Sequence, residues 1–316
     1  MKTVLVTGGA GYIGSHVCKA LKEAGYLPVV FDNLSGGHAS AVLWGPLIVG
    51  DILDDAQLDN ALREHEPVGV IHLAGLIEVR ASVQNPEIYY EVNVGGTLKL
   101  AQAVVRNHVR SIVFSSSAAV YGHPHATPIT EDHLKLPVSP YGHTKWMAEQ
   151  ILADMAKAHN LSVMSLRYFN AAGADIDGET GEAHHPETHL IPLALLTALK
   201  KRSHFTINGD GSIIRDFIHV TDLADAHVKA LKWTLENTGP VAINLGTGQG
   251  CSVGTILEEI RRVVGVDFPI EMGPANPLDP PILVADSQRA REILEWTPRF
   301  SDLSTILHTA WEWHQK

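Results

Sequence analysis

Residues 6–17 read VTGGAGYIGSHV: an apolar strand runs into a glycine-rich turn, and the turn runs into an amphipathic segment. Gly8, Gly11 and Gly14 are spaced G-x-x-G-x-x-G. Glycines so placed permit a tight turn and bring backbone close to a pyrophosphate. The helix that follows points free N–H groups and the positive end of its dipole at the same spot. Incidental glycines in an ordinary turn are the plainer reading. The position between a first strand and a first helix, at the extreme N-terminus, favours a dinucleotide-phosphate loop made of Gly8, Gly11, Tyr12, Ile13 and Gly14.

The rest of the chain continues that rhythm. Apolar runs at 4–8, 28–32, 47–51, 69–75, 111–117 and 162–170 alternate with helical patterns near 12–24, 55–65, 93–108 and 141–158. The runs are continuous rather than alternating, as in strands buried on both faces. The expected fold is therefore α/β, a doubly wound, Rossmann-like parallel sheet. After residue 170 the rhythm breaks. Residues 171–190 (AAGADIDGETGEAHHPETHL) are rich in Gly, acidic residues and His, and are expected to form a loop. Next come a helix near 191–201, a short FTING strand, a strand entering a helix over 215–231 and a strand at 241–245. A helix near 253–264, a Pro-rich loop at 274–281 and helices near 286–294 and 302–314 follow. The expected division is a cofactor-binding unit over 1–170, with 212–240 returning to it, and a smaller mixed α/β substrate unit over 171–316.

Asp32 ends the second strand, eighteen residues after Gly14. A carboxylate there, with Asn33 beside it, can accept hydrogen bonds from an adenosine ribose. Residues 33–40 contain no Lys or Arg to meet a 2′-phosphate, which favours NAD over NADP. Asp51 and Ile52, after the third strand, are placed for the adenine side, although Asp51 could equally cap a helix over 52–64. Leu73, Ala74 and Gly75 end the fourth strand, where small residues let the chain pass close to the dinucleotide.

The fifth strand ends in Ser115, Ser116 and Ser117, and in an open parallel sheet ligands bind outside the carboxyl ends of the strands. Tyr141 and Lys145 follow in SPYGHTK, four residues apart and so on one face of a helix. Tyr-x-x-x-Lys alone is a weak signal; with the serines it becomes a set with a chemistry. A phenol titrates near ~10, and bringing it to neutrality takes about 4 kcal/mol. A neighbouring ammonium and an oxidised nicotinamide ring both favour the phenolate. The phenolate then takes a proton from a substrate hydroxyl while serine bonds the same hydroxyl.

Composition removes other classes. Of 316 residues, 45% are hydrophobic and 19% charged, as in a globular chain. A net charge of −11 without a basic block disfavours nucleic-acid and anionic-membrane partners. Cys18 and Cys251 make no metal or disulfide pattern, there is no signal-peptide pattern, and no apolar run approaches a membrane span. A cytoplasmic protein is expected. His184, His185 and His189 gather near Glu182 and Glu187, but no helical His-x-x-x-His pair supports a metal. That stretch is expected to be a substrate-covering loop or a solvated face.

TGGAGYIGSH, FDNLS, HLAGLIEV, NVGGT, FSSSAAVYG, SPYGHTK, LRYFNAAGA, PETHLIP, RDFIHVTDLADAH and LVADSQRARE run nearly end to end. By these motifs the chain resembles the extended short-chain dehydrogenase/reductase superfamily and, within it, the UDP-galactose 4-epimerase family. The resemblance implies a tightly held NAD, a 4-keto sugar that turns over in the site, and a homodimer paired through the helices near 93–108 and 141–158. Those apolar faces are equally explained by covering the sheet. The resemblance makes Ser117 and Tyr141 the proton-handling pair, with Lys145 their partner, and places Asn93, Ser115 and Tyr168 at the cofactor. It assigns Asn170, Leu190, Arg215, Asp279 and Leu283 to a UDP-sugar. Ala118 and Ala119 stand where dehydratases of the superfamily carry acids, so elimination of water is not expected. Three departures concern the nucleotide. Asn276-Pro277-Leu278-Asp279 replaces an Arg-x-Gly-Asp stretch, Asn208 stands where an aromatic residue is common, and Ile77 stands where some members have lysine. The expected reaction interconverts UDP-glucose and UDP-galactose; a 4-epimerase of a UDP-pentose, UDP-hexuronate or UDP-N-acetylhexosamine, or a non-catalytic NAD-binding regulator, is the alternative.

Overall fold

The computed structural model describes residues 1–276 and 279–316, so Pro277 and Leu278 of the departure at 276–279 lie outside the described residues. The chain first lays down β1 (Lys2–Thr7), α1 (Tyr12–Glu23), β2 (Tyr26–Asp32), β3 (Leu47–Val49), α2 (Asp55–His65) and β4 (Gly69–His72). Two short helices, α3 (Val79–Gln84) and α4 (Pro86–Tyr89), lead through a π-helical turn at Tyr90–Gly95 into α5 (Gly96–Arg106). Then come β5 (Ser111–Ser117), α6 (Pro140–His159) and β6 (Ser162–Tyr168). The second part holds β7 (Asn170–Ala172), α7 (Leu190–Ala198), β8 (Phe205–Asn208), β9 (Ile214–His219), α8 (Val220–Glu236) and β10 (Gly239–Leu245). It ends with β11 (Gly250–Ser252), α9 (Val253–Val264), β12 (Ile270–Gly273), β13 (Ile282–Leu283), α10 (Gln288–Leu294) and α11 (Leu303–His314).

Seven strands form one parallel sheet in the order β10-β6-β5-β4-β1-β2-β3. The apolar runs read from the sequence supply its strands, and alternation sorts their side chains onto two cores. Val4 and Val6 of β1 pack with Val17 and Leu21 of α1 and Leu231 of α8. Leu5 turns the other way, onto Leu58 of α2, Leu100 of α5 and Leu152 of α6. Covering helices on both faces are what continuous apolar strands require. The order of strands reverses between β1 and β4, and such a switch point opens the crevice where a doubly wound sheet takes its ligand.

β9 pairs with β7, β11 and β13, while β8 pairs with β12. Around these small sheets α7, α9 and α11 enclose a third core with Phe205, Phe217, Ile256 and Leu307. The chain returns to the large sheet through α8 and β10. Helix starts follow their local chemistry. Ser139 caps α6 by accepting from the Gly142 amide at 3.1 Å, with Pro140 at the first helical position. Asp54, not Asp51, caps α2, accepting from the Ala56 and Gln57 amides at 2.9 and 3.1 Å.

The segment between β7 and α7 lies against α1. Tyr12 donates to the Gly173 carbonyl at 2.6 Å, and the Ser15 and Thr180 hydroxyls meet at 2.8 Å. Lys19 reaches Asp175, Asp177 and Glu179 at 2.8, 2.6 and 2.7 Å. On the other side the Trp313 indole donates to the Glu182 carbonyl at 2.9 Å. Of the three carboxylates, Asp175 is buried, so Lys19→Met would leave it without its ammonium. The expected outcome is a loss of roughly 3–5 kcal/mol, read from urea unfolding.

Candidate active site

The glycine loop closes over the switch point. Gly8 has φ +74°, and a Cβ there would stand 2.5 Å from the Ala74 amide nitrogen. A Cβ on Gly14 would stand 2.1 Å from the Gly8 carbonyl oxygen. Gly11 caps α1, and among the described residues no side-chain cap bonds the first turn. A bare helix start in a cradle of backbone fits the phosphates of a dinucleotide. Asp32 accepts from the Ala10 amide at 3.0 Å and the Leu34 amide at 2.9 Å, so the carboxylate expected to face a ribose also braces the loop. Asn33 donates to Asp51 at 3.1 Å, and Asp51 accepts from the Leu53 amide at 2.8 Å, tying the ends of β2 and β3 together. Ile13, Ile52 and Leu73 pack their side chains against the cores and offer the crevice backbone.

Gly75 follows β4. A Cβ there would stand 2.9 Å from the Asn93 side-chain oxygen and 3.8 Å from the Lys145 nitrogen, so its lack of a side chain admits both. Asn93, buried in the π-helical turn, accepts from the Leu76 amide at 2.8 Å and donates to the Leu76 carbonyl at 3.0 Å and to Thr144 at 3.1 Å. It fastens the end of β4 to the residue before Lys145.

Lys145 is buried. Its ammonium donates to the Ser115 carbonyl at 2.8 Å, lies 5.9 Å from the centre of the Tyr141 ring, and lies 5.1 Å from that of Phe114. Ser117 hydrogen-bonds Tyr141 and also accepts from the Ala119 amide at 3.2 Å. The Ser115 and Tyr168 hydroxyls share a hydrogen bond. Ser82, which the sequence pattern does not flag, accepts from the Tyr141 amide at 3.1 Å. Ser117, Tyr141 and Lys145 thus meet as expected. Their electrostatics are dominated by burial. Burial pushes the Tyr141 phenol up to about 12, the Ser117 hydrogen bond opposes it, and Tyr89 and Glu78 add to the rise. Burial lowers Lys145 to about 8, with the Glu149 carboxylate pulling upward. Burial is the largest cause at the phenol, and the expected phenolate calls on the oxidised nicotinamide ring as well as Lys145.

A cavity of about 220 Å³ opens on the side of the second part of the chain. Asn170, Leu190, Arg215 and Asp279 all line it. Arg215 donates to the Ile214 and Pro280 carbonyls at 2.9 and 2.8 Å and has no ion pair with a carboxylate among the described residues. Leu283 pairs with Arg215 in the β13–β9 ladder and packs against the Ala118–Tyr121 turn rather than lining that cavity. Glu182 and His189, from the stretch read as a substrate-covering loop or a solvated face, line it too. His184 and His189 both turn Nδ1 to Glu182, at 3.1 and 2.7 Å, with Glu187 alongside; His185 stays outside this group. Burial would lower the His189 imidazole, but its bonds to Glu182 and Glu187 override that and hold it up to about 10. Burial would raise Glu182, yet the two histidines hold it down to about 2. The cluster is an ion-paired wall of the cavity rather than a solvated face.

A phenol and an ammonium at the mouth of a glycine-loop crevice are the working parts of an enzyme that pairs a nicotinamide dinucleotide with proton transfer. The chain belongs to the NAD dependent epimerase/dehydratase family, whose model matches residues 4–246. It is 49% identical over 321 residues to a UDP-glucose 4-epimerase of Rhizobium leguminosarum bv. trifolii, covering 100% of this chain and 98% of that one. The structure is similar to that of UDP-glucose 4-epimerase from Brucella ovis in complex with NAD (TM-score 0.96, 48% identity, 99% of this chain and 98% of the other). It is also similar to UDP-glucose 4-epimerase from Bifidobacterium longum in complex with NAD+ and UDP (TM-score 0.95, 33% identity, 99% and 98%). Gly14→Ala would drive a methyl into the Gly8 carbonyl. The expected product is folded protein that has lost most of its bound NAD, measured by chromatography of the nucleotide released on denaturation.

Proposed function

We propose that the protein is an NAD-dependent isomerase that inverts C4 of a UDP-hexose, interconverting UDP-glucose and UDP-galactose through a transient 4-keto sugar. The observation that carries this reading is the meeting of Ser117, Tyr141 and Lys145, together with a cavity lined by the Arg215 guanidinium, which makes no salt bridge with a carboxylate among the described residues. Gly8, Gly11, Gly14 and the start of α1 hold the cofactor phosphates, Asp32 and Asn33 face the ribose, and Asp51 lies on the adenine side. NAD held there would supply a hydride acceptor and donor for C4 and, when oxidised, a positive charge favouring the phenolate.

Tyr141 takes the proton of the 4-hydroxyl and later gives it back, which is why its ionisation has to be supported by more than Lys145. Ser117 bonds the same hydroxyl and keeps it aligned with the phenol. Lys145 holds the nicotinamide ribose and lends its charge to the pair. Arg215 and the opening of α7 at Leu190 bind the diphosphate and uridine, and Asn170, Asp279 and Leu283 flank the sugar. Ala118 and Ala119 leave no acid in position to eliminate water, so the ketone has no route except return. Residues 1–170, with the later segment that returns to the large sheet, form the cofactor unit, and the remainder forms the substrate unit.

The protein works in the cytoplasm, and among the described residues no helix is long and apolar enough to cross a membrane. It pairs as a homodimer. α5 and α6 bury Leu100, Val104, Ala148 and Leu152 on the sheet yet leave Leu98 and Met147 exposed on the outer side. A second copy covering that side would make a four-helix interface. Sedimentation at micromolar protein is expected to give twice the mass of the chain, and Met147→Glu is expected to halve it.

Tyr141→Phe keeps the ring and removes the proton carrier. Turnover of UDP-galactose is expected to fall by roughly 10²–10⁴ with folding and bound NAD retained. Near-normal turnover would exclude the role given to this phenol.

A further inference from the structure

We propose that Glu149 is a positioning residue of this site, a buried carboxylate that sets Tyr141 and Lys145 through Ser116 and Arg167. The inference rests on the roles given above to that pair. It begins with the alternation of β5. Ser115 and Ser117 turn toward the reacting centre, where the Ser115 carbonyl receives Lys145 and Ser117 meets Tyr141. Ser116, between them, turns to the opposite face and donates to Glu149. Glu149 stands one helical turn after Lys145 on α6.

The same carboxylate accepts from Arg167 twice, at 2.9 and 2.5 Å. Arg167 is the register partner of Ser116 on β6 and precedes Tyr168, which meets Ser115. From Arg167 the bonding continues to the Tyr121 hydroxyl at 2.9 Å and on to Asn244 of β10 at 2.6 Å. One side chain on α6 thus fixes the ends of β5 and β6 beneath the reacting centre, along with the helix that bears both working groups. The side chains of Arg167 and Glu149 are 3% and 5% exposed. A buried ion pair is a poor source of stability, since apolar residues of like volume serve as well or better. Its presence here, bonded to the middle serine of the strand end, points to placement as its task.

Glu149 also acts on charge. The titratable and charged groups gathered about Lys145 are Tyr141 and Glu149 on its own helix, His72 at the end of β4, and Arg167 and Tyr168 on β6. Of these, only the Glu149 carboxylate opposes the lowering of Lys145 by burial, and Arg167 screens part of its effect. Without it the ammonium loses its proton at lower pH, and the site loses the charge that Lys145 lends it earlier on the alkaline side.

The test uses the NAD-loaded protein, with kcat and KM for UDP-galactose measured per bound NAD from pH 6 to 10. Glu149→Gln is expected to lower kcat by roughly 10²-fold with KM nearly unchanged, and to move the alkaline fall of kcat toward neutrality. Glu149→Met/Arg167→Met removes both charges and so leaves no buried ion unpaired. It is expected to fold and load NAD while showing the same loss of kcat and the same displaced alkaline fall. A double variant with wild-type kcat and an unmoved pH profile overturns the proposal and leaves the network a structural one. Activity lost only in proportion to lost NAD-loaded protein, with the profile unmoved, overturns it equally. If Tyr141→Phe proves active in the same assay, the fault lies with the reading of the reacting centre rather than with Glu149.

Discussion

Two backbones pressed together at the sheet's switch point carry the rest of this molecule. Gly8 leaves β1 in a left-handed conformation directly against Ala74, and Gly14 brings the first turn of α1 down on the Gly8 carbonyl. Side chains at these positions would hold β1, β4 and α1 apart by the width of a methyl or more. The crevice between the two strands would then lose its floor, and the helix would no longer aim its free amides into it. Asp32 fastens this arrangement by gripping Ala10 from β2, and Gly75 extends it by admitting Asn93 and Lys145. Phosphate binding and proton transfer are therefore consequences of one packing choice made within the first seventy-five residues.

The reacting groups occupy a place that resists charge. Burial moves the Tyr141 phenol up and the Lys145 ammonium down, each toward its neutral form. With Lys145 at about 8 the lysine stays mostly an ammonium at neutral pH beside a neutral phenol, and catalysis needs the phenol's proton moved. The protein opposes the preference at short range, with Ser117 bonded to the phenol and a carboxylate one turn beyond the lysine. A site where specific bonds work against desolvation leaves the protonation state responsive to what binds beside it.

Much of this was legible in the amino-acid order. Strands buried on both faces need unbroken apolar runs, so β1 to β6 announce themselves, and the caps and glycines bound the helices between them. Ser117, Tyr141 and Lys145 were found because a strand end and a helical i, i+4 pair are local patterns. What stayed hidden depends on distance. Asn170, Leu190, Arg215 and Asp279 came only through the resemblance, since they span more than a hundred residues and meet only because β7, β9 and β13 assemble into a second sheet. Asp32 could be read as a ligand acceptor, but nothing in its surroundings says that both oxygens already hold loop amides. α3 and α4 are short and broken at Pro86, and the π-helical turn carrying Asn93 leaves no periodic trace. The rise of the Tyr141 phenol was not legible, because sequence shows a lysine nearby but not how far both lie from water.

The end of β5 has a further meaning for how such a chain can change over time. Three successive serines look interchangeable, yet their chemistry is assigned by parity. A loop elsewhere can gain or lose a residue and merely shift its contacts. One residue added or lost inside this strand would exchange its two sides wholesale, sending the tether of the scaffold to the sugar and the sugar's contact into the scaffold. The strand behaves like a reading frame: tolerant of substitution letter by letter, intolerant of a change in count.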